Sequence, residues 1–154
     1  MNRTIKFRGK TVEEAGLRKA GEWAYGGYFV DTCYGGCPEG KHHIVEFNST
    51  GMGYFAHTRV ERESVGQFTN LRDEEKNRIF EGDVIEFNDF DSLRTGGNTS
   101  DNIVIGEVVF SAGAWIIESG DYQYDLFTAI INDDELKVIG NRVDNPELLK
   151  EETK

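Results

Sequence analysis

The chain has 154 residues, of which 38% are hydrophobic and 29% are charged, and its formal net charge is −11 at pH 7. This composition is typical of one ordinary globular domain or two small modules, and it excludes a disordered chain. A strongly acidic protein repels phosphate at long range, so general binding of nucleic acid is disfavoured.

The acidic residues are unevenly distributed along the chain. Residues 1–63 hold 9 Lys/Arg and 8 Asp/Glu, whereas residues 64–154 hold 8 and 20. The strand pattern also becomes sharper near this point. We therefore predict an N-terminal β subdomain over 1–63 and a C-terminal β-barrel-like subdomain over 64–154.

The first half reads as short strands joined by glycine-rich turns. Residues 3–8 alternate basic and apolar side chains, as in a strand with one buried face. Residues 11–19 predict one or two helical turns capped by Thr11. The aromatic residues of 22–30, interrupted by two glycines, predict a hairpin or a bulged strand. Further candidate strands lie at 43–47 and 54–60.

The second half has a clearer strand pattern. Apolar and β-branched residues predict strands at 65–69, 79–80, 82–87, 106–110, 114–118 and 136–139. Asn145 as the cap and Pro146 at the first position predict a short C-terminal helical turn. Short strands at close spacing indicate a mainly β fold, either all-β or α+β with little helix. We expect small bent sheets or a barrel, with an SH3-like barrel in this half.

Two motifs in the loop around residues 33–43 suggest chemistry. Residues 35–42 resemble a phosphate-binding loop, but His42 stands where Ser or Thr would hold magnesium, and a strand-like run follows. Cys33, Cys37, His42 and His43 are candidate zinc ligands. The Cys-x3-Cys spacing departs from the usual zinc knuckle, and adjacent strand side chains lie on opposite faces. We favour a glycine-rich turn with two free thiols and no metal.

No catalytic constellation is recognisable in the sequence. Acidic residues that could bind a divalent metal are better read as a solvated loop; they are Asp83, Glu86, Asp89, Asp91 and Asp101. All three histidines precede residue 58, so hydrolase schemes have few candidate bases. His57 reads as a strand residue. We predict no catalytic residue and no cofactor.

The aromatic residues admit two readings. Trp23, Tyr25, Tyr28 and Phe29 could form a stacking platform for nucleotides, as could Tyr122, Tyr124 and Phe127. Core and subunit-interface positions are the favoured reading, because aromatic side chains give a small β fold much of its buried area.

Several segments together resemble the YopX family of phage and prophage proteins. They are residues 5–10, 23–26, 65–73 (VGQFTNLRD), 79–84 (IFEGDV), 138–141 and 145–148. The resemblance implies a phage or prophage origin, a mainly β fold, self-association, and one continuous domain over 1–150 as the alternative to two subdomains. It carries over no catalytic residue, and the loop with Cys33 is not part of the family pattern.

These observations favour a non-enzymatic phage accessory protein that forms a homo-oligomer and engages a host or phage protein. No apolar run approaches membrane-spanning length, so we expect no membrane association and place the protein in the cytoplasm of the host bacterium. A nucleic-acid-binding protein that uses the basic first strand and the aromatics is the main alternative, although nucleic acid is a disfavoured partner. A metal-dependent enzyme is the remaining alternative function.

Overall fold

The computed structural model describes residues 3–14, 18–32, 39–47, 55–90 and 102–150. The fold over these ranges is mainly β, as predicted, and its strand pairs are antiparallel. The strands are β1 (Phe7–Lys10), β2 (Trp23–Asp31), β3 (Lys41–Phe47), β4 (Phe55–Arg59), β5 (Gly66–Arg72), β6 (Arg78–Phe80), β7 (Asp83–Asn88), β8 (Ile103–Ser111), β9 (Ala114–Ser119), β10 (Tyr122–Asp125) and β11 (Lys137–Asn141). The helical elements are α1 (Leu126–Asn132) and two 3₁₀ helices, Arg62–Ser64 and Pro146–Leu149. None of the helices described could span a bilayer.

The chain divides into two units, Met1–Phe68 (unit 1) and Thr69–Lys154 (unit 2), and the division falls within β5. Each unit has its own hydrophobic core. Whether the predicted segments 1–63 and 64–154 fold as separate domains stays a prediction.

Unit 1 is a sheet with the strand order β4-β3-β2-β1-β5. Ala24, Ile44 and Val60 form its buried centre. Because successive side chains of a strand lie on opposite faces, the even-numbered residues of β2 and β3 lie on the core side and the odd-numbered ones on the outer side. The position of the core thus decides which side chains the outer face presents.

The predicted helical turns at residues 11–19 are wrong for the residues that the structure describes. Thr11 is buried and forms an isolated β-bridge with Val60, and its hydroxyl donates to the carbonyl oxygen of Lys19. A threonine that resembles a helix cap in sequence is here a pairing residue, because a partner 49 positions away along the chain fixes its backbone.

The aromatic segment at 22–30 is one long strand, β2, rather than a hairpin. Gly26 lets β2 continue as a single strand close to the backbone of β3. A Cβ atom at this position would lie 1.8 Å from the carbonyl oxygen of Val45 on β3, so the two backbones approach too closely for any side chain.

Unit 2 contains a sheet with the strand order β10-β9-β8-β7-β11, and β6 lies beside the end of β5. Its core is built from Ile79, Ile85, Phe87, Val108, Ile117, Leu126, Ala129 and Leu136. The predicted strands at 82–87, 106–110 and 114–118 are confirmed. Among the described residues this sheet is open, with β10 and β11 at its edges, and it does not close into a barrel.

Helix α1 and strand β10 before it are not predicted from the sequence. Asp125 begins the helix by accepting a hydrogen bond from the Thr128 amide at 2.7 Å, a standard N-cap contact. Leu126 and Ala129 then point into the core. The seven residues of α1 are too few to show a helical period in sequence.

The C-terminal helical turn is confirmed as the 3₁₀ helix Pro146–Leu149, with proline at its start. The expected cap is wrong in detail. The side chain of Asn145 caps no amide of this helix, and its Oδ1 instead accepts from the Asn141 amide at 3.3 Å.

Buried carboxylates hold the turns of unit 2. Gly82 turns the chain with a φ of 83°. Asp83 follows it, and the Oδ2 atom of Asp83 accepts a hydrogen bond from the Phe80 amide at 2.7 Å. Asp73 accepts from the Asn77 amide at 2.8 Å and from the Val138 amide at 3.2 Å. Asp73 therefore joins the turn before β6 to strand β11.

We expect Asp73→Ala to destabilise the protein by about 2–3 kcal/mol, because buried amides would lose a charged acceptor. The measurement is the free energy of unfolding in urea. Asp134→Ala is the matched control, since Asp134 is an exposed turn residue. Equal stability of the two variants would contradict this role for Asp73.

Candidate interaction surfaces

The adjacent histidines of β3 lie on opposite faces of the unit 1 sheet. His42 is on the core side, where its Nδ1 lies 2.6 Å from the Tyr28 hydroxyl oxygen. His43 is on the outer side, where its ring stacks on Phe29 with the ring centroids 4.8 Å apart. One metal ion could not be bound by both imidazoles in this strand geometry. Cys33 and Cys37 lie outside the described residues, so their part in a zinc site is untested.

A cluster of rings occupies the outer face of β2, β3 and β4. The planes of Phe29 and His43 are nearly parallel, at 8°. His57 on β4 meets both rings edge-on, with centroids 6.0 Å from Phe29 and 5.4 Å from His43. The interpretation of His57 as a strand residue is confirmed, but its contact with His43 was missed. The odd numbers of His43 and His57 indicate a shared face only once the register of β3 and β4 is known.

Charged side chains surround His43. Burial lowers the pKa of the His43 imidazole, and the neighbouring His57 lowers it further, with smaller contributions from Arg59 and Lys41. Asp31 acts in the opposite direction. Neither ring nitrogen of His43 has a hydrogen-bond partner among the described residues. His43 is thus held neutral on a face that carries cationic groups.

The resemblance of residues 35–42 to a phosphate-binding loop has no structural support in the part that is described. Lys41 is the first residue of β3, and a strand follows it where the motif requires a helix. Residues 35–38 lie outside the described ranges.

Three of the five acidic residues considered as metal ligands lie in the described ranges, and they have structural roles. Asp83 caps the turn before β7, and Glu86 pairs with Lys137 at 2.9 Å. Asp89 is buried. Asp91 and Asp101 lie outside the described residues. The ranges that are described bring together no three side chains of His, Cys, Asp or Glu in a metal-binding arrangement.

A cavity of about 230 Å³ in unit 2 has a largely acidic wall that includes Glu74, Glu86, Asp133 and Glu135. Two of these carboxylates already have partners. Lys137 pairs with Glu86, and the amides of Asn88 and Glu135 donate to Asp133 at 2.7 and 3.0 Å. These contacts explain the position of the acidic groups as parts of turns and strand ends.

Helix α1 exposes two large apolar side chains on its outer side. Phe127 is 57% exposed and Ile131 is 61% exposed. Residues four apart are neighbours on a helix surface, so the two side chains form one patch, which we name the α1 patch. The core-facing Leu126 and Ala129 lie on the other side of the helix. From the sequence alone, Phe127 is expected in a core, interface or stacking position, and the structure places it on the exposed side of α1.

Comparison with known proteins identifies a family and a fold. A family model described as YopX protein matches residues 28–150. The crystal structure of protein EF1440 from Enterococcus faecalis is similar, with 20% sequence identity and a TM-score of 0.55 over 97% of this chain and 100% of that chain. At that identity the likeness shows the fold alone. A search of curated proteins returned no match.

The neutral state of His43 predicts how stability depends on pH. Its pKa in the folded protein is below its ordinary value of 6.5, so the unfolded chain takes up the proton first. The stability that neutral His43 contributes is complete above pH 6.5 and is lost progressively as the pH falls below 6.5. We expect the urea concentration at the unfolding midpoint to decrease as the pH is lowered from about 7.5 to about 5.5.

His43→Phe keeps an aromatic ring against Phe29 but removes the titrating group. We expect this variant to show a smaller loss of stability over the same pH interval than the parent protein. An equal loss in both proteins would show that His43 does not contribute to the pH dependence.

Proposed function

The chain belongs to the YopX protein family, and from this premise we propose that it is a non-enzymatic, phage-encoded accessory protein that forms a homo-oligomer and engages a protein of the host or the phage. Family membership supports the phage accessory role. The observation that carries the proposed self-association is the α1 patch.

The α1 patch places two large apolar side chains on the exposed side of a seven-residue helix. Phe127 and Ile131 are both more than half exposed, although Ile130, beside them in sequence, packs partly against the core. Fully burying an isoleucine or phenylalanine side chain contributes about 1.5–3 kcal/mol. Adjacent exposed apolar side chains of this kind are typical of protein-interaction sites.

Charge favours a second copy of this chain as the partner at the α1 patch. Residues 69–154 hold 8 Lys/Arg against 20 Asp/Glu, so most of their surface would repel another copy. Helix α1 contains no charged residue. A symmetric contact through α1 therefore buries apolar area on both subunits at the place where like-charge repulsion is weakest.

The contacts of the titratable groups support a non-enzymatic role. Asp73, Asp83 and Asp133 accept hydrogen bonds from backbone amides, and His43 packs against Phe29. These groups have structural work that accounts for their burial. A general base or a nucleophile would need a different set of partners.

We expect the protein to be a dimer or larger in solution and Ile131→Glu to shift it towards the monomer. A glutamate in the buried centre of a symmetric contact would place two carboxylates together, which should weaken association at least about tenfold. The measurement is light scattering coupled to size-exclusion chromatography over a range of concentrations.

Ile5→Glu is the matched control, because Ile5 is 70% exposed and lies in unit 1. It makes the same change of side chain and charge in the other unit, and its oligomeric state should equal that of the parent. A parent protein that is monomeric at every concentration would contradict the proposed self-association. An equal effect of both substitutions would contradict the use of the α1 patch.

The partner protein requires a separate test. Affinity capture from the host bacterium that carries the phage element, with an unrelated acidic protein of similar size as bait control, would give candidates. Only a candidate that binds the purified chain directly supports the proposal. Failure of every candidate in the direct assay would contradict it.

A further inference from the structure

The outer face of unit 1 combines exposed rings with cationic groups. We name it the ring face and define it by Tyr25, Phe29, Lys41, His43, His57 and Arg59. These residues have odd numbers on β2, β3 and β4, which places them on the side of the sheet opposite the core. The register sets Phe29 opposite His43 and His43 opposite Arg59.

Phe29, His43 and His57 pack against one another, and Phe29 and His57 keep exposed surface. Phe29 stacks on His43 and remains 39% exposed, and Tyr25 is exposed to a similar extent. Phe29 has no place in the core of unit 1. Aromatic side chains on the open face of an antiparallel sheet are the usual platform on which unstacked bases lie.

Cationic groups lie beside the rings. Lys41 and Arg59 are close enough to His43 to influence its titration, as is the carboxylate of Asp31. Unit 1 as a whole is nearly neutral, since residues 1–68 hold 9 Lys/Arg and 8 Asp/Glu. The strong negative charge of the protein resides in residues 69–154. A phosphate group approaching the ring face therefore meets a much weaker repulsion than the net charge of the chain suggests.

We infer that the ring face binds single-stranded nucleic acid. Bases stack on Phe29, Tyr25 and His57, while Lys41 and Arg59 contact the phosphates. An acidic peptide would use the two cations but would leave the rings without a partner, so the exposed rings favour nucleic acid. This binding is additional to the proposed self-association, and the two can fail independently, because they use different units of the chain.

The test is a fluorescence anisotropy titration at low salt with labelled oligothymidylate of about twelve nucleotides, a length within the ~4–16 nucleotides that small β modules cover. Two further probes separate base stacking from charge. One is an abasic strand with the same number of phosphates, and the other is polyglutamate. We expect the oligothymidylate to bind at least about tenfold more tightly than either.

Phe29→Leu removes the central ring and keeps an apolar side chain. It should weaken oligothymidylate binding roughly tenfold, whereas Tyr122→Leu should leave binding unchanged because Tyr122 is an exposed ring of unit 2. Arg59→Gln should reduce the slope of log K against log salt by about 0.7, the effect of one lost phosphate contact on a single strand. Circular dichroism and thermal melting establish that each variant is folded.

If Phe29→Leu fails to fold, His57→Ala provides the same comparison, because His57 is exposed on edge strand β4. The inference would be overturned by the absence of salt-dependent binding of oligothymidylate. It would also be overturned by equal binding of the abasic strand or polyglutamate, which would indicate a surface for acidic polymers, or by equal effects of the unit 1 and unit 2 variants.

Discussion

The alternation of side chains across a paired strand is the constraint on which the rest of unit 1 depends. Ala24 and Ile44 must face the core. This requirement fixes the side of the sheet on which each of the remaining side chains of β2 and β3 lies. His42 is consequently directed to the core side and His43 to the outer side. The ring face is thus a product of core packing, and a shift of one residue in register would bury it.

Unit 2 uses a different device to hold its turns. Asp73, Asp83 and Asp133 are each buried, and each accepts hydrogen bonds from backbone amides that would otherwise be unsatisfied. The acidic composition of this half is therefore partly internal.

Much of the fold could be predicted from the sequence, because runs of β-branched and aromatic residues between glycines indicate strands directly. The strands β3, β4, β7, β8 and β9 follow from that pattern. The features that could not be predicted depend on contacts with residues distant in sequence. Thr11 resembles a helix cap until its pairing with Val60 is known, and the contact of His43 with His57 depends on the register of β3 and β4. Helix α1 was missed because its apolar residues also suit a strand.

The glycine at position 26 has a consequence for anyone who surveys this protein by mutation. The Val45 carbonyl oxygen occupies the space that a side chain would need, so every replacement must push β2 and β3 apart. Those same strands set the stacking of Phe29 on His43 three positions further along. A saturation library would therefore score residue 26 as essential for any activity of the outer surface, although no ligand could touch a side chain there. Such a score would report the spacing of two backbones and would have to be separated from true contact residues by a measurement of folding.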